Sequence, residues 1–414
     1  MTPTAPHAFA DLTHFAALDW AWEHHDVVVV DRVGAVVEKF RFDESGEGWA
    51  SFRERMRRLG GGIGVAVETR SGWVVEQLLA SGVTVYPVNP RTAKEYRMRK
   101  APSGVKNDEL DAWSMADALR TDGHGWKPLS PEDPAIQELR LLCRDEIALI
   151  QKRTGLVTEL TAALREYYHE ALEAFEDLTV QASWAFIERF PTPQALAQAG
   201  KRRWEKFLGA HRLTHPETYK KRLEVFAKAG KLRVPEGVTR AKSFLAVSLA
   251  QQLRQLEQQL SAYRRRIEEL FAAHEDAGIF SSLPGAGSKL APRLLAEFGA
   301  DRSRFGTPEA IQCHAGAAPV TMQSGKRSRV SIRRACCKQF RATVHQWADH
   351  SRELCGWAQA YYESKINKGK SHAAALRCLG QRWLDILWTM WQRRTTYNEA
   401  LHLQHQRDFG PRPA

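Results

Sequence analysis

Two short apolar segments that each end in a carboxylate constrain the fold of this chain more than any other feature of its sequence. Asp19 closes the apolar run 15–18, and Glu68 is the first charged residue after the run 63–67. Continuous apolar runs of this kind predict buried strands. The ends of central strands emerge at the edge of a sheet, where ligands gather. The sequence therefore predicts a sheet domain in which two strands end in acids.

A second pair of acids opens a helical pattern further along the chain. Asp108 and Asp111 precede apolar residues that recur through 113–119, and an i, i+3 pair lies on one face of a helix. Converging carboxylates of this kind hold two Mg²⁺ ions roughly 4 Å apart in two-metal enzymes, and Mg²⁺ prefers oxygen ligands. We therefore predict a magnesium site for phosphodiester chemistry with four ligands: Asp19, Glu68, Asp108 and Asp111.

Each of these acids also has a purely structural interpretation. Asp19 alone would be an ordinary loop acid, and Asp108 is an acceptable N-cap for the helix that follows. Glu109 and Asp117 are neighbouring acids that we expect to face water. The order of the elements favours the metal site, because no single acid does so by itself.

The first block of the chain predicts an α/β domain with a mixed sheet. Strands are expected at about 14–19, 26–31, 34–42, 63–68 and 83–88, and helices near 47–59 and 73–81. The order β-β-β-α-β-α-β-α suits a five-stranded sheet whose first three strands form an antiparallel meander. A Gly- and Pro-rich break follows Asp122, so we place this domain at residues 1–128.

The middle of the chain, residues 129–275, predicts long helices. Apolar residues recur at helical spacing from Ile136 to Ala171, and a heptad pattern runs from Leu253 to Leu270. Two such helices are expected to pair as a coiled coil, either within one chain as a hairpin or between two chains. Residues 176–239 are expected to form a small helical subdomain, whose basic cluster near residue 201 has either a phosphate-binding or a merely solvated role.

The C-terminal block, residues 276–400, predicts a mostly helical domain followed by a tail at 401–414. The turn at 283–287 lies between two predicted helices, and its glycines would present N–H groups to an anion at the start of the second helix. This turn resembles the hairpin of helix-hairpin-helix modules, which bind the DNA backbone. We therefore predict nucleic-acid contacts at Gly285, Gly287 and Lys289.

A strongly basic segment follows in the same block. Residues 320–348 contain seven Lys and Arg residues and no acid, which predicts attraction to phosphates. Ser324 lies in a predicted turn inside this segment, and although Ser-Gly is usually only a turn, here its hydroxyl would be ringed by guanidinium groups. Ser328 and Ser331 are rival nucleophiles. The predicted nucleic-acid-binding residues of the segment are Lys326, Arg327, Arg329, Arg333, Arg334, Lys338 and Arg341.

Composition supports a polyanionic partner. The 414 residues contain 60 Lys and Arg against 48 Asp and Glu, a formal net charge of +12, which alone would suit nucleic acid or an anionic membrane. No apolar run approaches the roughly 20 residues that span a bilayer, and the first residues lack the pattern of a signal peptide, so we expect a cytoplasmic protein without a membrane partner. The six cysteines lack paired C-x-x-C spacing and are expected to be reduced, and the adjacent Cys313 and His314 are expected to belong to the core.

These motifs together resemble the transposases of the one-ten/eleven-eleven insertion-sequence family. That family joins an RNase H-like (RuvC-like) DEDD domain to a C-terminal serine transposase domain. The first-strand motif of the family usually continues with a small residue and a lysine, whereas this chain has Trp20-Ala21-Trp22. The matching residues are Leu18-Asp19, Val67-Glu68-Thr69, Gly72-Trp73, Val88-Asn89-Pro90, the segment 106–112, the turn 283–287, Gly316-Ala317-Ala318-Pro319 and Ser324-Gly325.

The resemblance implies an RNA-guided DNA recombinase. A structured noncoding bridge RNA would pair with donor and target DNA, so that sequence recognition rests largely on base pairing. Ser324 would form a transient phosphoserine link with DNA, while Asp19, Glu68, Asp108 and Asp111 hold Mg²⁺. The acidic domain of one protomer would meet the serine domain of another in homodimers that assemble into a tetramer.

Two rival functions remain open at this point. A RuvC-type metal-dependent, structure-specific DNA endonuclease would use the acids and water, and Ser324 would be only a turn residue. A nucleic-acid-binding scaffold would use the basic C-terminal block and need none of the acids. Replacing Asp19 by alanine separates the scaffold from both enzymes, because only the enzymes need a metal ligand there.

Overall fold

The computed structural model describes residues 7–101, 107–232, 234–325 and 327–409, and it divides the chain into two compact units, Met1–Glu132 and Asp133–Ala414. Lys326, one of the predicted nucleic-acid-binding residues, lies outside the described residues, as does Lys106 of the segment that opens the acidic helix. The domain boundaries at 128/129, 275/276 and 400/401 stay predictions.

The first unit is built on a five-stranded mixed sheet. Its strands are β1 (Leu12–Trp20), β2 (His24–Asp31), β3 (Val36–Asp43), β4 (Gly62–Val67) and β5 (Thr84–Pro87), in the spatial order β3-β2-β1-β4-β5. Strands β1, β2 and β3 pair antiparallel, whereas β4 is parallel to both β1 and β5. The predicted mixed sheet and its antiparallel meander are therefore confirmed.

Helices cover both faces of this sheet. They are α1 (Gly46–Leu59), α2 (Trp73–Ala80), α3 (Pro90–Lys100) and α4 (Asp108–Asp122). One core joins Ala16 and Leu18 of β1 to α1 and α2, and the other joins Phe15 and Ala17 to α4. Because side chains alternate along a strand, the odd-numbered residues of β1 from Phe15 onward face α4. Helix α3 was not predicted, since only Ala93 of its residues is buried and no apolar stripe marks it.

The second unit begins with two long helices that pair antiparallel within the chain. They are α5 (Pro134–Tyr167) and α11 (Glu236–Ala273). Ion pairs join Glu138 to Arg266, Arg153 to Glu257 and Glu166 to Lys242. Residue numbers therefore increase along α5 as those of its partners decrease along α11, which shows that the two helices run antiparallel. The two long helices thus form a hairpin within one chain, which is one of the two arrangements that the sequence left open. Between the two helices lie α6 (His169–Ala174), α7 (Gln181–Arg189), α8 (Pro193–Ala199), α9 (Lys201–Ala210) and α10 (Pro216–Lys228).

The remaining elements form a mostly helical body that carries one small β-hairpin. They are α12 (Ala277–Ser281), α13 (Gly287–Phe298), α14 (Pro308–Ala315), β6 (Val320–Ser324), β7 (Arg327–Ser331), α15 (Lys338–Leu354), α16 (Gly356–Asn367), α17 (His372–Arg393) and α18 (Glu399–Phe409). Helix α18 extends into the predicted tail. One hydrophobic core joins Ile136 and Ile267 of the long helices to residues as distant as Trp391. In the part of the chain that the structure describes, no helix combines the length and the apolar character needed to cross a membrane.

A buried ion pair ties the long helices to this body. Arg293 of α13 donates to Glu146 of α5 at 2.8 Å, with side-chain exposures of 9% and 4%. Arg264 of α11 lies 3.3 Å from the other oxygen of Glu146. Removing one member of a buried pair leaves the other charge uncompensated, which is far more costly than losing an exposed pair.

We predict that Glu146→Gln destabilises the unit Asp133–Ala414 by about 3 kcal/mol or more, because Arg293 keeps its charge without a carboxylate. Urea unfolding followed by far-ultraviolet circular dichroism measures this change. The matched control is Glu138→Gln in the same helix, which removes an exposed pair with Arg266 and should cost far less. Equal effects of the two variants would contradict the structural role of Glu146.

Candidate active site

The register of the sheet brings two of the predicted metal ligands to one edge. Leu18 of β1 pairs with Val67 of the parallel β4, so Asp19 and Glu68 follow at adjacent positions. Alternation places both side chains on the α4 side of the sheet, because Ala17 and Ala66 belong to the core that contains α4. The parallel pairing thus gathers acids that lie about 50 residues apart in the sequence.

Helix α4 supplies the other two acids. Its N-cap is Asn107, whose Oδ1 accepts from the amide of Leu110 at 2.6 Å, so Asp108 is the first helical residue and not the cap. Asp108 is exposed, and Asp111 is buried one turn later on the same face. The capping by Asn107 therefore leaves both carboxylates available for another function.

All four predicted ligands line one pocket of about 380 Å³. The structure adds residues that sequence reasoning missed. Asp26 pairs directly with Asp19 across β1 and β2, and ligand atoms of His24, Asp26 and Asp108 lie within 4.8 Å of one another. The missed signal was an acid at the start of the strand that runs antiparallel to β1. The pocket lining consists of Asp19, Trp20, Ala21, His24, Asp26, Glu68, Pro90, Lys94, Arg97, Asp108 and Asp111.

Burial and repulsion between carboxylates shape the electrostatics of this pocket. Partial burial, followed by the negative charges of Asp108, Asp111 and Glu68, raises the pKa of Asp19 to about 6. Two neighbouring acids have guanidinium partners: Arg97 donates to both oxygens of Asp111 at 2.7 and 2.8 Å, and Arg41 makes a bidentate pair with Asp26. The pocket therefore holds more negative charge than its own cations balance.

This donor set fits a divalent cation with oxygen ligands. Several carboxylates converge on one pocket, and the raised pKa of Asp19 is the electrostatic cost of that convergence, which a cation would relieve. Asp117 is not part of this donor set, because its buried carboxylate forms ion pairs with Lys100 and Arg120. The expectation that Asp117 faces water was wrong, whereas Glu109 is exposed.

A second set of ligand-type side chains lies in the helical unit. Glu297, His314 and Cys337 approach within 4.8 Å of one another, and His314 Nε2 lies 3.4 Å from Glu297. Arg144 donates to the same carboxylate at 3.2 Å, and Arg140 and Arg304 add further positive charge around it. Because the arginines already exceed the acids here, we assign no metal to this cluster.

The predicted nucleophile lies at the tip of the β6–β7 hairpin. Ser324 is the last residue of β6, pairs with Arg327 of β7, and is exposed. Gly325 follows with φ +56°, a left-handed conformation that suits a tight turn. The hairpin therefore presents a hydroxyl beside a guanidinium group at an exposed turn.

Strand alternation separates Ser324 from Ser328, whereas Ser331 differs from it in burial. Ser324 shares a face of the hairpin with Arg327 and Arg329, whereas Ser328 pairs with Gln323 on the opposite face. Ser331 is half-buried, and its hydroxyl donates to the carbonyl oxygen of Val320 at 3.5 Å. Ser324 and Ser328 both line a surface groove, but only Ser324 points toward the same side as the arginines.

The other predicted nucleic-acid-binding residues differ in their surroundings. Gly287 and Lys289 are exposed at the start of α13, as are Arg334 and Lys338 near the start of α15. Arg333 and Arg341 are half-buried and contact backbone carbonyl groups.

Gly285 also has a packing role. It has φ +77°, and a Cβ there would lie 2.6 Å from the amide nitrogen of Ser351. That close approach accounts for the glycine without reference to a ligand.

Comparisons with known proteins cover both regions. Residues 16–169, which include all four acids, match a family model of IS110-type DEDD domains described as a transposase. Residues 277–363, which include Ser324, match a model described as the transposase IS116/IS110/IS902 family.

Three similar proteins match this chain over most of its length. The chain is 32% identical over 411 residues to the mini-circle putative transposase for IS117 of Streptomyces coelicolor, with 97% of each chain covered. It is 30% identical to the insertion element IS900 uncharacterized 42 kDa protein of Mycobacterium paratuberculosis, covering 82% of this chain and 86% of that protein. It is 29% identical to the insertion element IS116 uncharacterized 44.8 kDa protein of Streptomyces clavuligerus, covering 78% and 80%.

We predict that Asp19→Asn stabilises the metal-free sheet unit at neutral pH. The pKa of Asp19 is about 6 in the folded unit against an ordinary 3.8, so its contribution to stability is greatest below 3.8 and is lost as the pH rises through 6. The side chain is partly exposed, so solvent screening limits the expected gain near neutral pH to about 1–2 kcal/mol. Hydrogen exchange of peptides that span β1 and β4, measured in a chelator, gives the stability of this unit.

The difference between Asp19→Asn and the wild type should vanish below about pH 4, where Asp19 is protonated. Adding a divalent cation should protect the wild type but not the variant. Asp43→Asn, which neutralises an exposed acid at the end of β3, is the control and should change little. A variant less stable than the wild type at every pH would contradict the proposed repulsion.

Proposed function

The chain belongs to the IS110 family of insertion-sequence transposases, and we propose that it excises its element and inserts it at a target chosen by a structured guide RNA. The enzyme acts on donor and target DNA. The observation that carries the proposal is the convergence of Asp19, Glu68, Asp108 and Asp111 on one pocket, together with Ser324 on a basic hairpin in the second unit.

We assign the acids to metal binding and the serine to covalent catalysis. Mg²⁺, when bound, neutralises phosphate charge and lowers the pKa of an attacking hydroxyl. Asp19, Glu68, Asp108 and Asp111 hold it. Asp26 and His24 are additional candidates at the same pocket, because their ligand atoms lie close to that of Asp108. Arg97 orients Asp111 through its two hydrogen bonds.

The covalent step keeps the number of phosphodiester bonds constant. The Oγ of Ser324 attacks the phosphorus, a serine–phosphate bond forms, and the bond from phosphorus to one deoxyribose oxygen breaks. The serine proton leaves to a base, and the departing oxygen takes up a proton. A DNA hydroxyl then attacks the same phosphorus and releases Ser324, so rejoining needs no external energy source.

Positive charge beside Ser324 supports this assignment. Arg327 and Arg329 share its face of the hairpin, where guanidinium groups are able to orient a phosphate and stabilise the charge that develops on it. The exposed residues Lys289, Arg334 and Lys338 add phosphate contacts without reading sequence. Sequence recognition therefore falls to base pairing with the RNA.

We propose that the protein forms dimers that assemble into a tetramer. In this assembly, the acids and the serine of one active site come from different copies of the chain. The acids belong to the unit Met1–Glu132 and Ser324 to the unit Asp133–Ala414. A serine hydroxyl is a weak nucleophile by itself, so Ser324 needs the metal that the acidic unit of a partner copy provides. The α5–α11 hairpin of each copy would help to build this assembly.

We predict that Ser324→Ala and Asp19→Ala each abolish recombination in cells, because the first removes the nucleophile and the second a metal ligand. The gene with its native flanking DNA is placed in bacteria, and junction PCR detects excised circles and target insertions. A decrease of at least about 100-fold in junction products is expected for each variant.

Ser328→Ala is the matched control, since it removes a hydroxyl from the same hairpin on the opposite face, and it should retain junctions. Recombination by Ser324→Ala with none by Asp19→Ala would favour a RuvC-type nuclease that uses water. Full activity of Asp19→Ala would favour a nucleic-acid-binding scaffold and overturn the enzyme assignment.

A further inference from the structure

The exposed tryptophans of this protein lie in two segments, one at the end of β1 and one at the start of α2. All thirteen tryptophans lie in the described residues, and the ten others are buried or half-buried. The three exposed ones are Trp20, Trp22 and Trp73, with exposures of 42%, 90% and 62%. Tryptophan is normally well buried, so a cluster of exposed indoles indicates a binding surface.

These three residues flank the acids of the candidate active site. Trp20 follows Asp19 at the end of β1 and lines the acidic pocket. Trp22 lies in the short turn between β1 and β2, and Trp73 is the first residue of α2, shortly after Glu68. The indoles therefore accompany both strand ends that carry an acid.

A hydrogen-bonded network around Glu44 holds the two segments that carry these indoles. Trp73 Nε1 donates to Glu44 Oε1 at 3.0 Å, and the fully buried His25 bonds to Glu44 Oε2 at 2.8 Å. The amide of Ala21, in the turn beside Trp22, donates to His25 Nδ1 at 3.4 Å. Burial raises the pKa of Glu44, but its hydrogen bonds with Trp49, Trp73 and His25 lower it overall, so the carboxylate that joins the network is ionised.

Aromatic rings contact nucleic acid through its bases, whereas cations contact its phosphates. An indole carries no net charge, yet a nucleobase of any type stacks favourably on its face in nucleic-acid complexes. A base is free to stack in this way only where it is unpaired and displaced from its neighbours.

We propose that Trp20, Trp22 and Trp73 stack on unpaired bases of the DNA strand whose phosphate enters the acidic pocket. The inference rests on the proposed function and specifies its substrate: the DNA at the acidic site is locally single-stranded. Trp73 is held by Glu44 in advance of binding, which reduces the entropy lost when a base docks. Trp22 offers the most exposed ring and should contribute most.

The test measures binding of a fluorescent oligothymidylate of about 20 nucleotides and of a duplex of equal length, by anisotropy, to the full chain in Ca²⁺. Trp22→Ala and Trp73→Ala should each weaken single-strand binding by about 5-fold or more and leave duplex binding unchanged. Trp22→Tyr should restore most of the affinity, because it keeps an aromatic face. Val33→Ala, which trims an exposed apolar side chain in the turn after β2, is the control and should bind like the wild type.

Several results would overturn this inference. Unchanged single-strand binding by both alanine variants would do so, as would an equal loss for the duplex. A Trp-dependent preference for oligouridylate over oligothymidylate would assign the surface to RNA. Loss of self-association by light scattering, with DNA binding intact, would assign it to a second copy of the chain.

Failure of the proposed function gives a different pattern. Junction formation that is insensitive to Asp19→Ala removes the enzyme assignment but leaves any Trp-dependent single-strand binding in place. Normal junction dependence on Asp19 and Ser324, with no effect of the tryptophans on single-strand binding, removes only the stacking surface.

Discussion

The parallel pairing of β1 with β4 in one register is the constraint on which the candidate active site depends. This register makes Asp19 and Glu68 neighbours on the α4 side of the sheet. A slip of one residue would turn Glu68 to the opposite face and into the core formed with α1 and α2. The convergence of like charges raises the pKa of Asp19 to about 6, so the metal-free unit sacrifices some stability to keep its ligands together. A bound cation would reverse that repulsion, which links metal binding to the stability of the sheet.

The second unit, in contrast to the acidic pocket of the first, carries a strongly basic segment at residues 320–348. Its core and the buried pair of Glu146 with Arg293 support a hairpin whose own strands are mostly exposed. A two-stranded ribbon is only marginally stable by itself, so contacts with nucleic acid would define the final position of Ser324. In the proposed mechanism, the acids of one unit and the basic hairpin of the other share the requirements of phosphoryl transfer. That division is the physical basis for proposing that protomers complete one another's sites.

Much of the first unit could be predicted from sequence because its signals are local. Buried strands appear as apolar runs, and the order of runs and helical patterns indicates a mixed sheet. Helix α3 escaped prediction because its surface is almost entirely polar, with only Ala93 buried. Asp117 was taken for an exposed acid because the cations that pair with it, Lys100 and Arg120, are recognised only once the helices are packed. Asp26 and Arg97 were missed for the same reason: each reaches the pocket through a contact between separate elements.

The sequence by itself determined the strands, the acids at their ends, the long amphipathic helices and the basic segment around Ser324, since each depends on residues close together in the chain. The tertiary structure decided which acids share a pocket, which carboxylates have guanidinium partners, and which of the three serines is both exposed and on the same face as the arginines. It also decided that the exposed tryptophans all border the acidic strand ends. These relations depend on strand register and on side-chain alternation across paired strands, which no local pattern of residues specifies.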